Sequence, residues 1–182
     1  PSYEVGDERL VGTRPTAPVL DGNGISGGAG IQIAGELSDV TVLGFEIKNF
    51  NSGIVAQGNS MNNLRIDGNY IHDVSDGISG GTTGVQTLSG WSVTKNIIDG
   101  VSGMGIGLVN IGSLEVDKNQ IIAAGTALEV KASGNHTVSN VGITDNKITG
   151  TTDIEALSDG YATVKYVTMR NNEIYFTDKG IN

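Results

Sequence analysis

Leu114-Glu115-Val116-Asp117-Lys118-Asn119-Gln120-Ile121 reads as an apolar residue, a variable one, an apolar one, two variable ones, Asn, a variable one and Ile. The same frame returns at residues 64–71, 91–98, 141–148 and 167–174, with Asn69, Asn96, Asn146 and Asn172 in the place of Asn119. From one Asn to the next the steps are 27, 23, 27 and 26 residues. An earlier copy at 40–47 keeps the apolar frame but has Phe45 where Asn belongs. A near-constant period of this size marks a solenoid, in which one supersecondary unit is stacked on copies of itself.

Within a unit, Leu114-Glu115-Val116-Asp117 alternates apolar and polar, the period of a half-buried strand. Lys118-Asn119 then reads as a turn, and Gln120-Ile121-Ile122 as a second extended segment. Asn tolerates the left-handed backbone that a sharp bend needs, so the left-handed residue of each bend is expected to be the Asn itself. Stacked coil on coil, Asn69, Asn96, Asn119, Asn146 and Asn172 are expected to form a hydrogen-bonded ladder. A third strand follows each Ile, usually introduced by Gly: Gly53-Ile54-Val55-Ala56, Gly77-Ile78-Ser79-Gly80, Gly105-Ile106-Gly107-Leu108, Ala127-Leu128-Glu129-Val130 and Asp153-Ile154-Glu155-Ala156. Three short strands per coil, each paired with its copy in the next, make an all-β, three-faced parallel β-solenoid of about six coils and ~30 Å. Its inward column is Ile47, Ile71, Ile98, Ile121, Ile148 and Ile174.

Composition agrees and narrows the function. The 28 Gly and only three Pro among 182 residues suit many tight turns. Cys is absent, which removes disulfides and cysteine metal sites. A net charge of -9 supplies no cationic surface to displace counterions from phosphates, which argues against a nucleic-acid partner. The acidic balance leaves calcium as the one cofactor to consider, and none is expected. No stretch approaches the length of apolar sequence that spans a membrane, so no membrane insertion is expected. Starting at Pro1 rather than Met, the chain reads as a processed or excised polypeptide.

The Val-x-Ile-x-x-Asn-x-Ile units, with Leu20-Asp21-Gly22-Asn23-Gly24 ahead of them, resemble the right-handed parallel β-helix proteins of the pectate-lyase-like superfamily. The resemblance covers about residues 20–182 and implies a right-handed coil. It implies no one activity, because that superfamily holds lyases, epimerases, hydrolases, tailspikes, adhesins and non-catalytic surface repeats.

Residues 1–19 are expected to be an N-terminal extension or cap, and 20–182 the β-helix. Gly30-Ile31-Gln32-Ile33 reads as the third strand of a coil whose earlier strands are irregular, and Lys179-Gly180-Ile181-Asn182 as the start of another. With Ile31 and Ile33 at one end and Ile174, Phe176 and Ile181 at the other, end-to-end self-association into filaments is the expected assembly.

Candidate chemistry lies on outward positions. Along the third strands these run Gln32, Val55, Ser79, Gly107, Glu129, Glu155 and Asn182. Glu129 and Glu155 on neighbouring rungs stand about 5 Å apart, near enough to split their pKa values or to act as a retaining-glycosidase pair. Lys131 beside them is expected to offset their charge. The second group is Tyr70, His72 and Asp73, with Asp76 after them: a base, an acid and a charge of the kind that β-elimination or epimerisation at a uronate requires. Against catalysis, His72 reads equally as a solvated turn residue, with Arg65 its only basic neighbour. Thr41, Thr94, Thr144 and Thr168 are interrupted by Arg65, Asp67, Glu115, Asp117 and Arg170, which excludes a flat threonine array. Asn135-His136-Thr137 fits a loop glycosylation acceptor.

These features point to a non-catalytic structural or adhesive solenoid, extracellular or on a cell surface, with a polysaccharide as its candidate partner. The alternative is a carbohydrate-active enzyme or part of one, a uronan lyase, epimerase or hydrolase. The discriminating feature is a deep groove beside the third strands lined by three or more convergent charged groups.

Overall fold

The structure is a computed structural model that describes residues 17–25, 27–82, 84 and 87–181, with backbone alone at 153 and 176–181. All regular segments among the described residues are strands, and no helix there is long and apolar enough to cross a membrane. The strands pair in parallel from coil to coil, forming a parallel β-solenoid of about six turns. The proposed N-terminal extension or cap falls almost wholly outside the described residues.

Three ladders run along the rod. The first holds the strands before each Asn: Thr41–Leu43, Arg65–Asp67, Leu88–Thr94, Ile111–Asp117, Thr137–Thr144 and Thr163–Arg170. The second holds those after it: Val19–Asp21, Glu46–Lys48, Tyr70–His72, Ile97–Val101 and Gln120–Ala123. The third holds Ala29–Ser38, Ser52–Asn62, Asp76–Gly81, Ile106–Val109 and Thr126–Ala132. In the last two coils the second and third strands merge into Lys147–Ser158 and Glu173–Ile181, continuous across the corner at a shift of register between Gly150 and Thr152.

The register places like residues on like. Leu20, Ile47, Ile71, Ile98, Ile121, Ile148 and Ile174 follow one another down the second ladder. Ile31, Ile54, Ile78, Ile106, Leu128 and Ile154 do so down the third. Val42, Ile66, Val93, Val116, Ile143 and Met169 complete the core from the first. Full burial of such a side chain contributes about 1.5–3 kcal/mol, and Ile47, Ile71, Ile98, Ile121 and Ile148 have no exposed surface at all. Trp91 occupies the position that Leu114 holds one coil on, and it too is buried. Its extra volume is accommodated by Gly80, where a Cβ would lie 2.7 Å from the indole. The indole N–H donates to the Met61 carbonyl at 2.7 Å.

The expected Asn ladder is present and fully bonded in its interior. The Asn96 side-chain amide donates to the Ile66 carbonyl of the preceding coil at 2.9 Å and to Asn119 Oδ1 of the following coil at 3.1 Å. Its own Oδ1 accepts from the Asn69 backbone N–H and from Asn69 Nδ2, both at 3.0 Å. Asn119 repeats the pattern with Val93 and Asn146, and Asn146 with Val116 and Asn172. Phe45 keeps the backbone half of the rung: its N–H donates to Asn69 Oδ1 at 3.0 Å.

The bend itself is made differently from the expectation. The left-handed residue is the one before the Asn: Gly44, Gly68, Lys95, Lys118, Asp145 and Asn171 all have φ between 53° and 74°. The ladder Asn is thereby free to turn its side chain inward. A second left-handed column, Asp39, Asn63, Gly90, Ser113, Asn140 and Tyr166, precedes the first apolar residue of each unit. Tyr166 is the exception among short or flexible residues, since bulky side chains rarely take this backbone.

The exposed ends expected of the rod are only partly open to view. Ile33 is buried, Ile31 and Ile174 are partly buried, and the side chains of Phe176 and Ile181 lie outside the described residues. Asn135 sits exposed in a turn, while His136 is buried, with Nε2 against the Gly84 carbonyl at 2.7 Å and Nδ1 against Thr87 Oγ1 at 3.2 Å.

Replacing Asn119 by Ala strips an acceptor from the Asn96 backbone N–H and side-chain amide, and a donor from Val93 and Asn146. Each buried group left unpaired costs about 1–3 kcal/mol, so N119A is expected to lose at least about 3 kcal/mol in urea denaturation. The exposed-turn control N135A should unfold like the parent chain.

Candidate functional site

The two groups of candidate residues stand on different ladders. Tyr70, His72 and Asp73 belong to the second, whereas Glu129, Lys131 and Glu155 belong to the third. They cannot converge on one bond.

On the second ladder the register adds neighbours that the local sequence does not announce. Glu46 lies beside Tyr70, Lys48 beside His72, and Asp99 beside His72 on the other side. The His72 ring stacks on Tyr70 with centroids 4.3 Å apart. Its Nδ1 meets Asp73 Oδ2 at 2.7 Å and its Nε2 meets Glu46 Oε1 at 3.4 Å. Lys48 Nζ reaches the same Glu46 oxygen at 3.4 Å and Asp21 at 4.0 Å. His72 is therefore a half-buried, two-sided partner of carboxylates rather than a solvated turn residue. Its basic neighbour is Lys48, because Arg65 pairs with Asp67 at 2.5 Å on the first ladder. Burial pushes the Tyr70 hydroxyl above its ordinary pKa, and the charges of Asp99, Glu46 and Asp73 add to the effect. Asp76 faces away, accepting from the Met104 N–H at 2.9 Å.

On the third ladder Gln32, Val55, Ser79, Gly107, Glu129 and Glu155 follow one another in register as outward positions. Glu129 is half-buried, and its pKa is raised by that burial and by Glu155, against a lowering influence from Lys131. Lys131 does not pair with either glutamate: its ammonium bonds Asp159 at 3.0 Å.

The outer face of the first ladder carries its own polar column. Thr94 Oγ1 donates to Asp67 at 2.8 Å and Thr144 Oγ1 to Asp117 at 2.6 Å. Two of the charges that interrupt the threonines, Asp67 and Asp117, are thus their hydrogen-bond partners from coil to coil.

A groove of about 580 Å³ lies along the third ladder, reaching from Gly35 and Glu36 in the first coil to Glu129 in the fifth. Between them it is lined by Gln57, Asn59, Ser79, Gly81, Gly107 and Val109, among others. Its charged lining groups among the described residues are Glu36 and Glu129, four rungs apart, about 19 Å along the rod axis at ~4.8 Å per rung. Among the described residues no three His, Asp or Glu side chains are placed to hold a metal ion. Comparison with known proteins adds no neighbour: no family model, curated protein or solved structure matches the chain.

A carboxylic acid with a higher pKa folded than unfolded binds more protons when folded, so it weakens the fold as pH rises from its usual range through the raised value. Glu129 starts from 4.5. Glu129→Gln is therefore expected to raise the melting temperature at neutral pH and to lose that advantage as pH falls below 4.5. Melting curves of both forms across that window check the sign.

Proposed function

We propose that this chain is a non-catalytic structural or adhesive solenoid, acting outside the cell or on its surface, of the right-handed pectate-lyase-like type suggested by its Asn-centred units. The observation that carries the reading is the dispersal of its charged groups. General acid–base chemistry on a sugar needs a base, an acid and charge neutralisation facing one bond within hydrogen-bond reach. Here the described lining of the groove has two carboxylates about 19 Å apart along the rod axis and no cation. A histidine-centred charged cluster lies on the second ladder, where Tyr70, His72, Asp73, Glu46 and Lys48 are occupied with one another.

That cluster also favours the second reading, a carbohydrate-active enzyme on an acidic polysaccharide, because His72 with Tyr70 and Lys48 supplies a base, an acid and a cation. The two readings separate in one assay. Pectate, alginate and related uronans, incubated with and without calcium, should keep their chain length and gain no unsaturated ends. Turnover that disappears in His72→Ala would replace the first reading by the second.

Self-association belongs to the same proposal, because the parallel pairing that joins one coil to the next is also available between two copies. Electron microscopy over rising concentration is expected to show rods lengthening by end-to-end contact. A single monomer-sized particle at every concentration would remove assembly from the proposal.

A further inference from the structure

The middle of the groove along the third ladder is a hollow closed at both axial ends. Gln57, in register with Gly81 and Val109, closes it toward the first coils. Glu129, in register with Ser79 and Gly107, closes it toward the last. The span from Gln57 to Glu129 is three rungs, about 14 Å at ~4.8 Å per rung. Met104 and Val109 give the hollow an apolar floor. The Met104 sulfur lies over Gly107, which has no Cβ to hold it off. That residue is fixed by its backbone, whose N–H donates to Asp76 at 2.9 Å and whose carbonyl accepts from the Gly77 N–H at 2.9 Å. Gly81 stays low because a Cβ there would run into the Val109 backbone.

Glu129 is the unusual member of this lining. Elsewhere the described carboxylates are mostly paired, Asp67 with Arg65 and Thr94, Asp117 with Lys118 and Thr144. Glu129 is half-buried, yet among the described residues it accepts no hydrogen bond and joins no ion pair. The nearest cation, Lys131, bonds Asp159 at 3.0 Å instead. Burial pushes the Glu129 carboxyl above its ordinary pKa, and Glu155 on the next coil adds to the effect. Its charged form has lost water without gaining a donor.

Charge and shape choose the occupant. An anion meets no cation in the described lining and a chain of net charge -9. Calcium takes about six to eight oxygens, and no three acidic or histidine side chains among the described residues are placed to hold a metal. An extended peptide adds to a free sheet edge, but Ile106 to Val109 are paired on both sides. A neutral apolar molecule would strip the remaining water from Glu129 and return no charge. A quaternary ammonium is recognised by aromatic faces, and no described lining residue is aromatic. We infer that this hollow binds a primary ammonium ion on a short apolar body, its head paired with Glu129 and its body over Met104 and Val109 toward Gln57. The site is separate from the cluster around His72, so it stands whichever of the two readings above holds.

The test is a titration of the isotope-labelled full chain with hexylammonium, read by backbone amide shifts, with hexanol, hexanoate, hexyltrimethylammonium and calcium chloride as counterparts. Hexylammonium is expected to shift the amides of Ser79, Gly81, Val109 and Glu129 to saturation. The neutral, anionic and quaternary chains should bind about tenfold more weakly or worse. Glu129→Gln should weaken hexylammonium about tenfold or more with the fold intact. Glu36→Gln removes the same charge on the far side of Gln57 and should change the affinity less than about twofold. Ser79→Tyr, which fills the hollow from an outward position, should weaken binding as much as Glu129→Gln does. The assignment is overturned by the absence of saturable shifts, or by hexanol, hexanoate or hexyltrimethylammonium binding as well as hexylammonium. Equal losses in Glu129→Gln and Glu36→Gln would reduce the effect to the general negative field and overturn it too. Calcium shifting the same amides by itself would make the hollow a metal site instead.

Discussion

A primary amide buried in an apolar interior has two hydrogens and two lone pairs to satisfy, and each group left over costs about 1–3 kcal/mol. Asn96, Asn119 and Asn146 meet that demand with the coils on either side. Coil size is thereby constrained only where the units touch. The step from Asn96 to Asn119 is 23 residues and that from Asn69 to Asn96 is 27, yet the strands around them stay in register. The surplus residues are absorbed in the loops, outside the reach of the ladder.

The core of this arrangement was legible because it repeats. Ile121 and Asn119 mean little alone, but five copies at one spacing assign a strand before, a strand after and a column inward. The left-handed corner was harder to place, because Lys95, Lys118 and Asp145 do not advertise a positive φ as Gly44 and Gly68 do. The Asn beside them, a residue that often takes that backbone, draws the assignment one position too far. The partners of His72 were invisible for a different reason. Glu46 lies 26 residues away and reaches His72 through the stacking of coils, so no local motif contains the pair. Lys131 shows the same limit: its carboxylate partner is Asp159, a loop residue of the next coil, rather than Glu129 two positions before it.

The outer faces follow a logic separate from the core. Inward positions must match their neighbours in shape, as Gly80 does for Trp91. Outward positions are free to vary, and their side-chain lengths decide where the surface rises or hollows. On the first ladder the variation yields Asp–Thr pairs that link coils, on the second an interlocked charged and aromatic cluster, and on the third a trough. One scaffold thus presents three surfaces of different chemistry, and the resemblance that identifies the scaffold says little about any of them.

The Asn ladder also has a sense of direction. In each internal link one side-chain N–H of a coil points to the Oδ1 of the next, so the amide carbonyls face the preceding coil, while of the two amide hydrogens one faces the following coil and the other a backbone carbonyl of the preceding one. The buried amides of Asn69, Asn96, Asn119 and Asn146, their carbonyls aligned, polarise one another, and the carbonyls add to a net moment along the rod with its negative side toward the N-terminal coils. A coil inserted upside down would set oxygen against oxygen. The column is therefore a polarity sensor for the whole stack, admitting further turns in one orientation only.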